Sequence, residues 1–152
     1  MVVYGSRRRG GEAGATMGAV TIREGGAIPQ KQVAALLLAL GRDAQVARLD
    51  GRLADVLNNS TFVVSAWDGA TLVGAARVIS DGVAIALVQH LGVRPDYQEQ
   101  GIGGDLLRRC LARYGHTTLV ALVDDPADAG FYAHHGFRTT GLAMVRAAVS
   151  PS

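Results

Sequence analysis

The stretch that decides the fold reads Val93-Arg94-Pro95-Asp96-Tyr97-Gln98-Glu99-Gln100-Gly101-Ile102-Gly103-Gly104-Asp105-Leu106-Leu107. It joins an apolar run to an amphipathic helix through a glycine-rich turn. Glycine lets a backbone approach a ligand closely and adopt φ values that other residues avoid. The first N–H groups of a helix have no carbonyl to bond to, so they attract anions. The stretch is therefore typical of a phosphate-binding turn.

Two well-known phosphate loops do not fit this turn. A P-loop needs G-x-x-x-x-G-K-[ST], and the only lysine of the chain is Lys31, far upstream. A dinucleotide G-x-G-x-x-G that began at Gly101 would need glycine at the position of Leu106, and it would belong to an early βαβ unit. Both alternatives are excluded.

The remaining pattern is Gln98-x-x-Gly101-x-Gly103, preceded by Val93-x-Pro95. This pattern resembles the acetyl-CoA pyrophosphate loop of the GCN5-related N-acetyltransferase (GNAT) superfamily. Residues 129–137, AGFYAHHGF, resemble a second signature of that family, A-x-x-F-Y-x-x-x-G-F, shortened by one residue near its start. Two blocks in the family's order, separated by one strand, indicate the family far more strongly than either block alone.

Length and composition set the class of protein. The chain has 152 residues, of which 49% are hydrophobic and 18% charged, as expected for one globular domain, which we place at residues 18–148. Its single cysteine, Cys110, allows no internal disulfide and no cysteine cluster for a metal. We therefore predict a cytoplasmic protein that needs no metal. No apolar run approaches the roughly 20 residues of a membrane-spanning helix, so no membrane association is expected.

The formal charge of +2 comes from the first 17 residues. Arg7, Arg8 and Arg9 add three positive charges there and Glu12 one negative charge, which leaves the rest of the chain near neutrality. A surface that binds nucleic acid is thus not predicted. The glycine and arginine content of residues 1–17 predicts a disordered tail.

Periodicity and turn residues predict a mixed α/β sheet. The expected elements are a strand at 20–24, helices at 29–40 and 44–57, strands at 61–67, 71–79 and 83–93, a helix after Gly101, a strand at 117–123, a helix at 126–135 and a strand at 137–145. Asp68-Gly69 and Asp81-Gly82 predict two-residue turns, so three of these strands form an antiparallel meander. A βαβ crossover follows, with helices on both faces of the sheet.

The GNAT resemblance implies the same order of elements and adds a binding site to it. The third meander strand and the strand after the crossover would part at a bulge, for which Gly92 is the expected site, and would admit the pantetheine arm of acetyl-CoA. The contacts to this cosubstrate would come from Leu91, Val93, Gln98, Gln100, Gly101, Ile102, Gly103, Gly104 and Phe131. Leu91 and Val93 would contribute backbone groups, and the turn its peptide N–H groups.

In the resemblance, Tyr132 of the Phe131-Tyr132 pair matches the family's general acid. A phenol can take this role because it keeps its proton at neutral pH and can pass it to a departing thiolate. The base is less defined. Gln89 cannot accept a proton, which leaves His90 as a candidate beside a structural role. Asp124 and Asp125 are alternatives for binding the amine's charge, with helix capping as their other explanation.

The resemblance implies an N-acetyltransferase that moves an acetyl group directly from acetyl-CoA to a primary amine of a small molecule. Two alternatives stay open: acetylation of a protein N-terminus or lysine, and a non-catalytic domain that binds acyl-CoA. The chain is short after Phe137 for the family's last strands. A partner subunit could complete the sheet, so a homodimer is a further expectation.

Overall fold

The computed structural model describes residues 19–141 and 143–149, and for residues 90 and 91 it describes only the backbone. The tail predicted at residues 1–17 lies outside the described part. The regular elements are β1 (Thr21–Glu24), α1 (Gln30–Ala39), α2 (Asp43–Arg48), α3 (Leu53–Asn58), β2 (Phe62–Asp68), β3 (Thr71–Ser80), β4 (Ile85–Val93), α4 (Ile102–Tyr114), β5 (Thr118–Ala121) and α5 (Ala129–His134). Short 3₁₀ turns at Pro95–Tyr97 and Pro126–Asp128 precede α4 and α5.

The strands form one sheet in the order β1-β2-β3-β4-β5. The neighbours from β1 to β4 pair antiparallel, and β5 pairs with β4 in parallel after the crossover through α4. A parallel pair needs such a crossover, because a hairpin can join only antiparallel strands. The predicted fold class, a meander followed by a βαβ unit, is confirmed.

Helices cover both faces of this sheet, as predicted. Side chains alternate along a strand, so β2 sends Val64 toward α4 and Val63 and Trp67 toward α1 and α3. On α4 the buried residues follow the helical period, and Arg108 and Arg109 on the other side are exposed. The apolar stripe of α4 therefore packs on one face and α1 with α3 on the other.

The predicted helix at 44–57 is wrong as one element, because it divides into α2 and α3. Gly51 separates them with a φ of 72°, a left-handed conformation that a helix cannot contain. The Asp81-Gly82 turn is also wider than predicted. The Asp81 carboxylate accepts N–H groups from Val83, Ala84 and Ile85 at 2.8, 2.8 and 3.2 Å, so β4 begins at Ile85 and not at residue 83.

The strand predicted at 137–145 is not formed in its described residues, 137–141 and 143–145. Gly136 and Gly141 interrupt the extended backbone with φ values of 87° and 64°. Met144 and Val145 are 96% and 81% exposed. They therefore have no apolar surface to pack on, and apolar burial is what stabilises a strand.

Candidate active site

The regular pairing of β4 with β5 ends near the middle of β4. The ladder runs from Ile85↔Thr118 to Val88↔Ala121, where β5 stops, while β4 continues to Val93. β5 thus ends at the level of Val88, while β4 continues for five more residues. We call the space beside residues 89–93 of β4 the fork. Carboxyl ends of strands in open α/β sheets are common binding places.

A β-bulge lies in β4 at the fork. Ala75 of β3 faces Gly92 and Arg77 faces Gln89, so one residue of β3 lies opposite residues 90 and 91 of β4. The predicted bulge is therefore present, although the extra residue precedes Gly92. Packing favours glycine at position 92, because a Cβ there would lie 2.5 Å from Leu40 Cδ1.

The glycine turn leads from β4 into α4. Gly101 takes the cap position with a φ of 80°, and no side chain caps the helix. A Cβ at Gly101 would meet no atom within 4 Å, so space is open on this side of the turn. The peptide N–H groups of Ile102, Gly103 and Gly104 belong to the first helical turn, where no earlier carbonyl can pair with them. The turn thus presents backbone donors, with the positive end of the helix dipole behind them.

Side chains before the turn anchor it to β3 and its hairpin. Arg94 Nε donates to the Leu72 carbonyl at 2.9 Å, and the Tyr97 hydroxyl donates to Asp68 Oδ2 at 2.6 Å. The bond to Asp68 raises the pKa of Tyr97. Glu99 has a φ of 65°, which is strained for a residue other than glycine. The anchored segment 94–99 therefore includes a strained residue shortly before Gly101, where space is open.

Gln98 and Gln100 bond through their side chains to backbone carbonyls that precede the glycine turn. Gln98 Nε2 donates to the Val93 carbonyl at 3.0 Å. Gln100 Nε2 lies 3.5 Å from the Asp96 carbonyl, at the limit of a hydrogen bond. Gln98 thus stabilises the bend between β4 and the turn, a role that its place in the motif did not reveal.

Tyr132 lies in the core cluster of α4 and is 2% exposed. Its hydroxyl is buried and has no hydrogen-bond partner. Burial raises the pKa of Tyr132, and the charge of Asp128 and the nearby Cys110 raise it further. The phenol therefore keeps its proton throughout the physiological pH range. Buried hydroxyls without a partner are rare in folded proteins.

The rest of the second sequence block surrounds Tyr132 with aromatic rings. Phe131 and Phe137 contact Tyr132 edge to face, at centroid distances of 5.2 and 5.5 Å. His135 donates its Nδ1–H to the Phe131 carbonyl at 2.9 Å. Its Nε2 lies 3.6 Å from where a Cβ on Gly104 would be. The block therefore joins the tyrosine on α5 to the glycine turn of α4.

The other predicted residues fall at or near the fork. Leu91 and His90 belong to β4, and their side chains lie outside the described set, so the candidate base stays a prediction. Asp125 Oδ1 accepts the Ala127 N–H at 2.9 Å and caps the following 3₁₀ turn, which confirms the capping explanation for this residue. Asp124 is exposed and acts electrostatically on Arg42.

Two residues near the fork were not predicted from the sequence. Arg42, directly before α2, is 7% exposed, and Asp128, before α5, is 4% exposed. The charge of Asp128 acts on both Arg42 and Tyr132, so one buried carboxylate is electrostatically coupled to both groups. No local motif marks Arg42 in the sequence. Within the described residues, no three His, Cys, Asp or Glu side chains are grouped as metal ligands.

The comparisons with known proteins agree with this geometry. A family profile described as "Acetyltransferase (GNAT) domain" matches residues 58–139, more than half of the chain and both motif blocks. The chain is 39% identical to the N-alpha-acetyltransferase RimI of Mycobacterium tuberculosis over 84 residues, 52% of this chain and 53% of that protein. It is 36% identical over 70 residues to an uncharacterised N-acetyltransferase of Gracilaria tenuistipitata var. liui, 45% of this chain and 38% of the other. The chain thus spans about half or less of these curated relatives.

Solved structures share the fold. A GNAT-family acetyltransferase from Streptococcus pneumoniae superposes with a TM-score of 0.70 at 27% identity, over 84% of this chain and 98% of that one. A predicted acetyltransferase from Clostridium acetobutylicum, crystallised with acetyl-CoA, superposes with a TM-score of 0.61 over 85% of this chain and 96% of that one; at 14% identity it supports the fold alone. No helix among the described residues has the length and apolar character to cross a membrane. The profile match over both motif blocks shows that this chain belongs to the GNAT superfamily.

Proposed function

We propose that this enzyme transfers an acetyl group from acetyl-CoA directly to a primary amine of a small molecule. The observation that carries the proposal is the buried, partnerless hydroxyl of Tyr132 beside a helix start with uncapped backbone N–H groups. A thioester with a diphosphate needs both a proton donor at its sulfur and amides at its phosphates. Acetyl-CoA supplies the acyl group, whose C–S bond breaks as the C–N bond to the amine forms.

The glycine turn has the features of a diphosphate site. The first peptide N–H groups of α4 would hold the phosphate oxygens, and Gly101 leaves the space open for them. Gln98 would act by fixing the bend through its bond to Val93, and Phe131 by packing beside Tyr132. The backbone of Leu91 and Val93 in β4 would pair with the pantetheine amide, because the ladder to β5 has already ended there.

Tyr132 would act as the general acid. The leaving thiol has a pKa of about 8.5, so at neutral pH the departing sulfur takes up a proton, and Tyr132 would supply it as the C–S bond breaks. The raised pKa of Tyr132 keeps its proton in place until the thiolate forms. The attacking amine must lose a proton in the same reaction. We assign its removal to water or to His90.

A protein N-terminus is the second candidate acceptor. It is favoured by one observation, the 39% identity to a relative named as an N-alpha-acetyltransferase. That match covers 53% of the relative, so the small-molecule amine remains our proposal for this chain. A homodimer that completes the sheet beside β5 also remains a proposal.

Two measurements test the function. Titration calorimetry with coenzyme A should show saturable heat, and a panel of amines and short peptides with acetyl-CoA should release free thiol only with a true acceptor. The thiol readout has low background from the enzyme, because its single cysteine is buried. Absence of coenzyme A binding would overturn the proposal. Binding without thiol release from any acceptor would favour a non-catalytic domain.

A further inference from the structure

Arg42 occupies a place where a charged side chain needs a partner. Nine-tenths of its surface is buried, and its Nε and Nη1 atoms are buried without any hydrogen-bond partner. A guanidinium keeps its charge under all physiological conditions and can only donate hydrogen bonds. A buried charge that lacks such bonds is strongly unfavourable, so it is usually found where a ligand completes it.

The fold carries Arg42 to the fork. α1 ends with Leu40 packed against Gly92 of β4. Gly41 then turns the chain with a φ of 73°, and the Arg42 N–H bonds to the Leu37 carbonyl at 2.9 Å. Arg42 is therefore two residues from Leu40, the residue after α1 whose side chain contacts β4 at Gly92. The glycine turn belongs to α4, which covers the opposite face.

Two carboxylates define the electrostatic surroundings of Arg42. Burial lowers the pKa of Arg42, while the charges of Asp124 and Asp128 raise it. Asp124 is not among the ion pairs found within 4.0 Å in the described part of the chain, so it acts on Arg42 from a distance. Asp128 also acts on Tyr132, so the same carboxylate is electrostatically coupled to Arg42 and to the proposed acid. The site thus combines one unfilled cationic donor with an exposed carboxylate, that of Asp124.

We propose that Arg42 binds a carboxylate of the acceptor and that the acceptors are amino acids, whose amine and carboxylate lie close together. The inference rests on the proposed acetyl transfer and names its substrate class. The acceptor carboxylate fills the buried donors of Arg42, and Asp124 attracts the ammonium form as it enters. The amine then loses its proton and faces the thioester near Tyr132. A peptide N-terminus has no carboxylate at this distance from its amine.

The test compares each of the common amino acids with its own carboxamide as acceptor. The two differ in the charge that Arg42 would bind, while the side chain is the same. We expect at least a tenfold higher kcat/KM for the acid of the preferred amino acid, because charge-assisted hydrogen bonds to arginine are lost in the amide. Equal rates for acids and amides, or a preference for amides and peptides, would overturn the inference.

Variants connect the preference to this residue. Arg42→Gln should reduce the ratio of acid to amide to about one while the KM for acetyl-CoA stays unchanged. Arg48→Gln, an exposed arginine on α2, is the matched control and should keep the ratio. A ratio that survives Arg42→Gln overturns the inference.

A binding readout covers the case in which Arg42→Gln folds poorly. Thermal unfolding of the wild-type enzyme with coenzyme A should be shifted upward by an N-acetyl amino acid and less by its N-acetyl carboxamide. Equal shifts would contradict the inference. Failure of coenzyme A itself to bind would instead contradict the proposed function, so the two failures are distinguishable.

Discussion

Replacing Tyr132 by phenylalanine should separate stability from catalysis. The hydroxyl of Tyr132 is buried without a partner, whereas in the unfolded chain it bonds to water. An unsatisfied buried polar group costs about 1–3 kcal/mol. Tyr132→Phe removes this cost and leaves the ring contacts with Phe131 and Phe137 in place. The variant should therefore be more stable, with a melting temperature raised by about 2–4 °C for each kcal/mol gained.

The same substitution should nearly abolish turnover. General acid catalysis contributes about 10²–10⁴ in rate, so kcat with acetyl-CoA and a good acceptor should fall at least roughly 100-fold. The dissociation constant for coenzyme A should stay within about twofold of the wild type, because the phosphates are held elsewhere. Tyr114→Phe is the matched control, since Tyr114 is 6% exposed in the same core cluster but lies at the far end of α4. It should keep kcat.

The result that refutes the reasoning is equally specific. A Tyr132→Phe enzyme that keeps its kcat would show that the hydroxyl is not the acid. A variant that loses stability would show that the hydroxyl has a partner in solution, and the argument from its burial would then fail. Differential scanning calorimetry and steady-state thiol release measure the two quantities on the same samples.

Three further predictions follow from local geometry. Gly101→Ala and Gly82→Ala place the same backbone strain in open space, at φ values of 80° and 78°, so each variant should lose about 1 kcal/mol of stability. Only Gly101→Ala should weaken coenzyme A binding in calorimetry, by roughly tenfold or more. Equal coenzyme A binding by the two variants would contradict a diphosphate at this turn. Burial raises the pKa of Cys110 to about 12, so a thiol reagent at pH 8 should label it only after unfolding, and rapid native labelling would contradict its position. Three backbone N–H groups lower the pKa of Asp81, so Asp81→Ala should destabilise the protein at pH 7, with a deficit in chemical denaturation that shrinks as the pH falls below the usual carboxyl value of 3.8; a deficit independent of pH would contradict this.

The fold followed from the sequence wherever one local signal was sufficient. Alternating side chains with Asp68-Gly69 predicted the β2–β3 hairpin, and the four-residue spacing on α4 predicted its buried face, because each pattern is set by the geometry of a single element. The helix at 44–57 failed for the opposite reason. Its apolar residues continue across Gly51, and only the packing of two short helices on the sheet shows that the chain turns there.

The candidate site was predictable in its backbone and less so in its side chains. The glycine turn and Tyr132 belong to motifs whose order along the chain can be recognised. The bond of Gln98 to Val93 and the burial of Arg42 result from contacts between segments, which no spacing encodes. The predicted strand at 137–145 was wrong because its two threonines and its valine favour strands in general, while Met144 and Val145 have no apolar surface to cover here.

The unfavourable features near the fork suggest a single cause. Glu99 is strained, the Tyr132 hydroxyl has no partner, and two nitrogens of Arg42 have none. Arg77 is satisfied only in part, because Nη1 and Nη2 bond to Ser60 and Gln89 while its buried Nε has no partner. Buried polar groups that lack hydrogen-bond partners do not stabilise the folded chain by themselves. If coenzyme A and an N-acetyl amino acid supply partners for these groups, the two ligands together should raise the melting temperature more than either does alone.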